Sequence, residues 1–133
     1  MQHRESLIKN LGTAKLTAKP GEKYAYSNLG YVVLGAILDR RGQMSWEDQL
    51  GKKIFQPLGI KHWGLGPVGK SGPWPHQADG QPLAPEGIQD NPPVMNSAGR
   101  LHLAVADYQR FLAETLRLAR GEKGLLKPAT AAK

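Results

Sequence analysis

The amino-acid sequence predicts a mainly α-helical fold in a single domain. Four segments place apolar residues three and four positions apart, which is the spacing of an amphipathic helix. Between the third and fourth of these segments, residues 59–99 are too rich in glycine and proline for any long helix. At 133 residues, the chain is long enough to bury one small hydrophobic core.

Composition narrows the classes of function. The sequence contains no cysteine, which excludes disulfides, thiolate catalysis and thiolate metal sites. The formal net charge is +7, but the lysines and arginines are scattered, so we expect a basic surface and no nucleic-acid partner. No apolar run is long enough to span a membrane, and Met1–Glu5 lacks the apolar region of a signal peptide. We expect neither a membrane partner nor a cofactor.

The first two predicted helices cover residues 2–11 and 29–41. In the first, Leu7, Ile8 and Leu11 share one side. The second contains the apolar run Tyr31–Leu38, which leaves almost no polar face and predicts a helix buried on most sides. Arg40, Arg41 and Gly42 are typical of a helix C-terminus.

The third and fourth predicted helices cover residues 46–55 and 105–120. Ser45 is expected to cap the third helix, with Asp48 in the place of a capping-box acid and Pro57 as the stop. The fourth helix starts after Ala104, whose methyl group cannot cap it, at a cost of about 1 kcal/mol. Its predicted buried face consists of Val105, Tyr108, Phe111, Leu112, Leu116 and Ala119.

The segment 59–99 is predicted to be a long loop. Short strands or turns are expected around residues 61–63. Trp63, Trp74 and His76 either line a cleft or pin the loop onto the core, the second being the commoner arrangement. The four histidines, His3, His62, His76 and His102, show no metal-ligand spacing, so no metal is expected.

A phosphate-binding pattern in this loop does not predict nucleotide binding. Gly64 to Ser71 matches G-x-x-x-x-G-K-S, the P-loop pattern, which requires a helix after the serine. Pro73 and Pro75 follow and prevent that helix.

The candidate site lies in residues 20–31, between the first and second predicted helices and at the start of the second. Pro20-Gly21 forms a turn, Tyr24 and Tyr26 follow, and Ser27 or Asn28 can cap the second helix. Tyr26 and Asn28 are therefore predicted to lie at the mouth of this helix. A phenol beside an amide can transfer protons if its surroundings lower its pKa from about 10. The spacing alone favours a capped helix with tyrosines at the rim of the core.

The order of several segments resembles serine β-lactamase-related hydrolases, which include class C β-lactamases, penicillin-binding proteins and related esterases. Tyr26 and Asn28 match the family's Y-x-N motif. The similarity covers most of the chain through the segments Pro20-Gly21, Tyr26-Ser27-Asn28-Leu29-Gly30-Tyr31, Arg41-Gly42, Ser45-Trp46-Glu47-Asp48, Ile54-Phe55-Gln56-Pro57-Leu58-Gly59-Ile60, Asp90-Asn91-Pro92-Pro93, Ser97-Ala98-Gly99-Arg100 and Asp107-Tyr108-Gln109-Arg110-Phe111-Leu112.

The resemblance implies a role for each residue of the motif. In the family, the serine of S-x-x-K attacks an ester or lactam carbonyl, the Y-x-N tyrosine carries the proton, and the asparagine contacts substrate. Tyr26 is then the catalytic residue and Asn28 the substrate-binding residue. The nucleophile, its lysine and the final K-T-G or H-x-G strand have no assigned counterpart here. The implied fold is the helical region of the family's domain, with its long Gly/Pro-rich loop and without the central antiparallel sheet.

Two further matches to family motifs are rejected. Ser6 and Lys9 fit S-x-x-K, but only residues 10–25 separate them from Tyr26, whereas the family has much of a domain in between. Lys70-Ser71-Gly72 fits K-[ST]-G but lies in a proline-rich turn and not on a strand.

Two hypotheses of function remain. The first is a segment of a β-lactamase-like hydrolase that is inactive alone and takes a lactam or ester only when its site is completed. The second is a non-enzymatic helical module that binds a second copy of itself or a complementary chain through its exposed apolar face.

Overall fold

The computed structural model describes residues 2–70, 72–84 and 90–131. The elements in chain order are α1 (Gln2–Leu11), α2 (Asn28–Gly42), α3 (Trp46–Leu50), a π-helical turn (Gly51–Phe55), α4 (Gln56–Leu58), β1 (Trp63–Leu65), a 3-10 turn (Pro93–Met95), α5 (Asn96–Gly99), β2 (Leu101–Leu103), α6 (Val105–Ala119) and α7 (Pro128–Ala131). The mainly α fold is confirmed, because the only strands in the described part of the chain are β1 and β2, which pair antiparallel.

Helix α2 is the centre of the arrangement. It packs against α1, α3, the 3-10 turn and α5, whereas α6 contacts α4 and α7. Helices α2 and α5 come into direct contact at Gly35, where a Cβ would clash with the Ser97 side chain of α5. Glycine at this position therefore lets the two helices touch. Ser97 Oγ also donates a hydrogen bond to the Tyr31 carbonyl, at 3.0 Å.

A buried arginine joins the first three helices. Arg4 of α1 is only 3% exposed, and its guanidinium donates through Nε and Nη2 to both carboxylate oxygens of Asp39 on α2, at 2.9 and 3.0 Å. The same group donates through Nη1 and Nη2 to both oxygens of Glu47 on α3, at 2.8 and 2.7 Å. Two bidentate pairs on one guanidinium fix the helices in both distance and orientation.

The group formed by Arg4, Asp39 and Glu47, called here the arginine cluster, is linked through further hydrogen bonds to the C-terminal end of the long loop. Asn96 Nδ2 donates to Glu47 Oε1 at 2.9 Å, and Asn96 Oδ1 accepts from Arg100 Nη1 at 2.7 Å. Arg100 Nε in turn donates to Asp90 Oδ2 at 2.7 Å. This chain of polar contacts ties the end of the loop back to α3, and no described buried side-chain nitrogen or oxygen lacks a partner.

The apolar core is small and lies to one side of this cluster. Its buried members among the described residues are Val32, Ala36, Phe55 and Ile60. The rings of Phe55 and Trp63 meet edge to face, with their centroids 5.0 Å apart. Trp63 thus pins the loop onto the core, one of the two roles expected of it.

Two buried carboxylates anchor neighbouring segments to α6. Asp107 Oδ2 accepts from the backbone N–H groups of His62 and Lys61, at 2.7 and 3.2 Å, and lies 3.0 Å from His62 Nδ1. The His62 N–H, followed by these other donors, holds the pKa of Asp107 below its usual range. Glu114 Oε1 accepts from the backbone N–H of Leu125 at 2.6 Å. Residues that a helical pattern assigns to the polar side are therefore buried here.

The faces predicted to be buried are largely exposed. On α2, Leu34 is 54% exposed, and on α6, Leu116 is 56% exposed. Val105, Tyr108, Phe111 and Leu112 of the predicted α6 face are exposed as well. The pattern identified the apolar faces, but the described residues do not cover them.

Two predictions about the third helix were wrong in detail. Pro57 does not stop the third helix, because helical backbone continues to Leu58 and ends at Gly59, in left-handed conformation. The turn before the proline is π-helical, and Pro57 lies in the first turn of α4, where its missing N–H is tolerated. Ser45 Oγ accepts from the Asp48 N–H, but the Asp48 carboxylate binds the Ser45 hydroxyl and not its backbone N–H.

The end of α2 also differs from the expected glycine cap. The left-handed residue is Gln43, with φ 49°, and Gly42 is the last helical residue. Gln49 Nε2 donates to the carbonyls of Leu38 and Met44, and a Cβ on Gly42 would lie 2.3 Å from that side chain. Glycine is thus needed one position earlier than a standard cap requires.

The loop predicted over residues 59–99 contains regular structure at both ends, in β1, the 3-10 turn and α5. The first P-loop residues form the end of β1 and turns, and Pro73–Pro75 is not helical. Ser71, which both rejected loop motifs share, lies outside the described residues. No helix in the described ranges is long and apolar enough to cross a membrane.

Replacing Arg4 by methionine should destabilise the protein severely. The change leaves the Asp39 and Glu47 carboxylates without their shared cation, which costs about 3–5 kcal/mol for a buried pair. The matched control is Arg40→Met, since Arg40 forms an exposed pair with Glu5 at 3.3 Å, worth at most about 1 kcal/mol. Urea unfolding of the two variants measures the difference, and equal losses would contradict a central role for Arg4.

Acid should weaken the same cluster. The Arg4 hydrogen bonds, supported by Asn96, lower the pKa of Glu47 from 4.5 to about 2. A lowered carboxyl pKa contributes stability above the unfolded-state value, and that contribution is lost as the pH falls from 4.5 towards 2. The loss should be on the order of 3 kcal/mol in the wild type. Unfolding of Glu47→Gln over this range should show a flatter pH dependence, and an unchanged slope would contradict the assignment.

Candidate active site

The candidate site lies where the chain enters α2. Ser27 has extended backbone at the N-cap position, but its side chain makes no capping hydrogen bond. Asn28 is the first helical residue, and its Oδ1 accepts a hydrogen bond of 2.9 Å from the Tyr26 hydroxyl. The sequence prediction therefore placed the two motif residues correctly at the helix mouth, although neither caps the helix.

Tyr26 is open to solvent, with 66% of its surface exposed. It borders a groove of about 430 Å³ in front of the first turns of α2. The tilted ring of Tyr31 lies beside it, with centroids 6.2 Å apart. The groove is lined by Tyr24, Ala25, Tyr26, Ser27, Gly30, Tyr31 and Leu34. The arrangement places a phenol hydroxyl, held by an amide, at the edge of a cavity large enough for a small molecule.

The S-x-x-K residues do not join this groove. Ser6 and Lys9 are exposed on α1, and no residue that lines the groove comes from α1. Lys9 instead borders a separate cavity of about 160 Å³ between α1 and α2. Lys70 and the Trp74 and His76 side chains are likewise not among the groove residues.

Sequence reasoning missed the rest of the groove. The sequence pattern predicts Leu34 inside a buried helix and the tyrosines at the rim of the core, and it assigns Tyr24 and Tyr31 no part in a site. The sequence did contain a signal for this groove, namely three tyrosines close together at positions 24, 26 and 31. Positions 31 and 34 share one helix face, so this face can lie next to the tyrosines that precede the helix. No described group of three histidine, aspartate or glutamate side chains is arranged to hold a metal.

Comparison with known proteins identifies the family. The family model described as Beta-lactamase matches residues 1–133, and the chain therefore belongs to this family. The resemblance found in the Y-x-N region and the ordered segments around it is confirmed.

Sequence relatives cover only part of the chain. A protein named as a candidate D-alanyl-D-alanine carboxypeptidase from Salmonella paratyphi B is 29% identical over 69 residues, or 52% of this chain and 16% of the relative. The same match is found in Salmonella newport. The chain thus corresponds to a small part of the curated relatives that it matches.

Solved structures share the fold over nearly the whole chain. An octameric penicillin-binding protein homologue from Pyrococcus abyssi has a TM-score of 0.69 at 24% identity, covering 98% of this chain and 29% of its own. A penicillin-binding protein from Bacillus halodurans gives 0.66 at 18%, covering 98% and 40%. A D-amino acid amidase from Ochrobactrum anthropi SV3, solved with L-phenylalanine amide, gives 0.64 at 25%, covering 96% and 38%.

The two motif side chains should matter little for stability. Tyr26→Phe and Asn28→Ala should each change the free energy of unfolding by less than about 0.5 kcal/mol, because their hydrogen bond is exposed and caps no helix. Ser45→Ala is the matched control, since Ser45 does cap its helix and should cost about 1 kcal/mol. Chemical denaturation measures all three variants, and a loss at Tyr26 as large as at Ser45 would give the pair a structural role.

Proposed function

We propose that this chain is the Y-x-N-bearing segment of a serine β-lactamase-like hydrolase, which transfers an acyl group from a lactam, ester or peptide. In this proposal, Tyr26 carries the proton of the nucleophile and Asn28 contacts the substrate. The observation that supports it is the 2.9 Å bond from the Tyr26 hydroxyl to Asn28, at the edge of an open groove, in a chain of this family.

The geometry suits these roles. Because Asn28 Oδ1 already accepts from Tyr26, its amide N–H groups remain as donors for a substrate carbonyl oxygen. The same bond restricts the rotation of the phenol and fixes the position from which it exchanges a proton. A positioned acid or base of this kind contributes about 10²–10⁴ to a rate.

The proposal also holds that the isolated chain is inactive. The groove contains Ser27, but no lysine, histidine or carboxylate lines it to activate a hydroxyl. The solved relatives are more than twice as long as the part that this chain matches. The nucleophile and its lysine would come from the remainder of a complete site.

The isolated chain should not hydrolyse a chromogenic cephalosporin or p-nitrophenyl acetate above the buffer rate. Ser6→Ala should behave identically, because Ser6 is not the nucleophile in this proposal. Absorbance assays at equal protein concentration measure both. Turnover that disappears in Ser6→Ala would overturn the proposal and make Ser6 and Lys9 a functional pair.

Activity should appear when the site is completed. A chimera in which residues 1–133 replace the matching 40% of the Bacillus halodurans protein supplies the missing parts. In this chimera, Tyr26→Phe should lower kcat by about 10²–10⁴, whereas Tyr108→Phe, on α6, should leave it unchanged. A folded, active chimera that is indifferent to Tyr26→Phe would contradict the catalytic role.

A second candidate function is association through the exposed apolar faces. Leu38 on α2 and Leu116 on α6 are among ten apolar side chains that the described residues leave exposed on these two helices. Exposed apolar surface costs about 25 cal/mol for each Å², and large patches usually mark an interface. The partner in this hypothesis is a second copy or a complementary chain. The octameric assembly named for the Pyrococcus abyssi relative is compatible with the first.

The wild-type chain should therefore bind a hydrophobic dye or increase in mass with concentration. Leu38→Glu combined with Leu116→Glu should reduce both effects, since it charges both faces. Gln109→Glu, an exposed change on α6 that adds one negative charge without removing an apolar side chain, is the control. Light scattering and dye fluorescence measure the outcome. A compact, dye-negative monomer at high concentration would rule out this function.

A further inference from the structure

The groove beside Tyr26 is uncharged throughout. Its side chains are three tyrosines, Leu34, Ser27 and Ala25, with Gly30 at its floor, and no lysine, arginine, aspartate or glutamate lines it. A ligand group in this groove meets aromatic rings and aliphatic carbon, so the lining selects an uncharged group.

The rings are arranged to accept another ring. Tyr26 and Tyr31 are tilted by 49° to each other, an orientation between stacked and edge-to-face contact. Tyr24 is 87% exposed, so nearly all of its ring is available. An aromatic side chain buries about 150–250 Å² and is further stabilised by pairing with another ring. An aliphatic group of the same size lacks this second contribution.

Tyr24 and the helix border the groove from different parts of the chain. It precedes α2 by a short extended segment, whereas Tyr31 and Leu34 lie on the helix itself. A group in the groove is therefore bordered by the segment on one side and by the helix on the other. Its carbonyl end would then lie beside Tyr26 and Asn28.

We propose that this groove binds an uncharged aromatic side chain of the acyl substrate and that Tyr24 is the residue that confers this preference. The inference rests on the proposed function, since Tyr26 and Asn28 supply the reacting end of the site. It adds the substrate class: amides or esters with a benzyl-like group next to the carbonyl.

Binding to the isolated chain tests the inference without turnover. The probes are N-acetyl-phenylalanine amide and N-acetyl-cyclohexylalanine amide, both racemic, which match in size but differ in aromatic character. In ¹H–¹⁵N NMR titrations, the aromatic probe should shift resonances of residues 24–34 and should bind about two- to tenfold more tightly than its cyclohexyl counterpart.

Three variants identify the residue responsible. Tyr24→Ala should weaken the aromatic probe by a similar factor, Tyr24→Phe should retain its binding, and Tyr108→Ala, which removes an exposed tyrosine outside the groove, should have no effect. Tyr24→Ala should fold normally, because the side chain is exposed.

Several outcomes would overturn the inference. Equal affinity for both probes would show that the groove binds any apolar group without preferring a ring. Unchanged binding in Tyr24→Ala would show that Tyr24 does not contribute to the preference. Shifts that spread over α2 and α6 and grow with protein concentration would indicate self-association instead. An inactive chimera with ring binding intact would refute the proposed function alone. An active chimera with no ring preference would refute only this inference.

Discussion

The guanidinium of Arg4 is the contact on which the arrangement of the helices depends. It is the point at which α1, α2 and α3 meet, and through Glu47 and Asn96 it reaches α5 and the end of the long loop. A chain with four buried apolar residues in its described part has little hydrophobic surface with which to fix helix orientation. Bidentate ion pairs supply the geometric specificity that such a small core does not.

Helix α2 divides the molecule into a packed side and an open side. Val32, Gly35 and Asp39 face α1 and α5, where the absence of a side chain on Gly35 permits direct contact with Ser97. Tyr31 and Leu34 face the groove. Because Ser97 binds the Tyr31 carbonyl, the packed side also holds the first turn of the helix from which the groove is built. The candidate site thus depends on the helix packing, although no residue of the arginine cluster lines it.

Family membership and the mainly helical fold are established for this chain, and Tyr26, bonded to Asn28, lies at the edge of an open groove. The motif residues Tyr26 and Asn28 share a solvent-exposed hydrogen bond, and the N-cap residue between them makes no side-chain capping bond. The apolar faces of α2 and α6 are exposed as well. Both proposed functions therefore use side chains that lie outside the arginine cluster.

The sequence by itself determined the elements and the motif. Helical periodicity located α1, α2 and α6. The Pro20-Gly21 turn and the polar pair Ser27-Asn28 before the apolar run placed Tyr26 and Asn28 at a helix mouth. Both kinds of feature depend on residues within a turn or two of one another. Tertiary structure decided which faces are covered. Periodicity shows that a face is apolar, but coverage depends on elements distant in sequence, so Leu34 and Leu116 are exposed while Arg4, Asp107 and Glu114 are buried. A charged residue is buried where its partner is provided across the fold, and no local pattern records that partner.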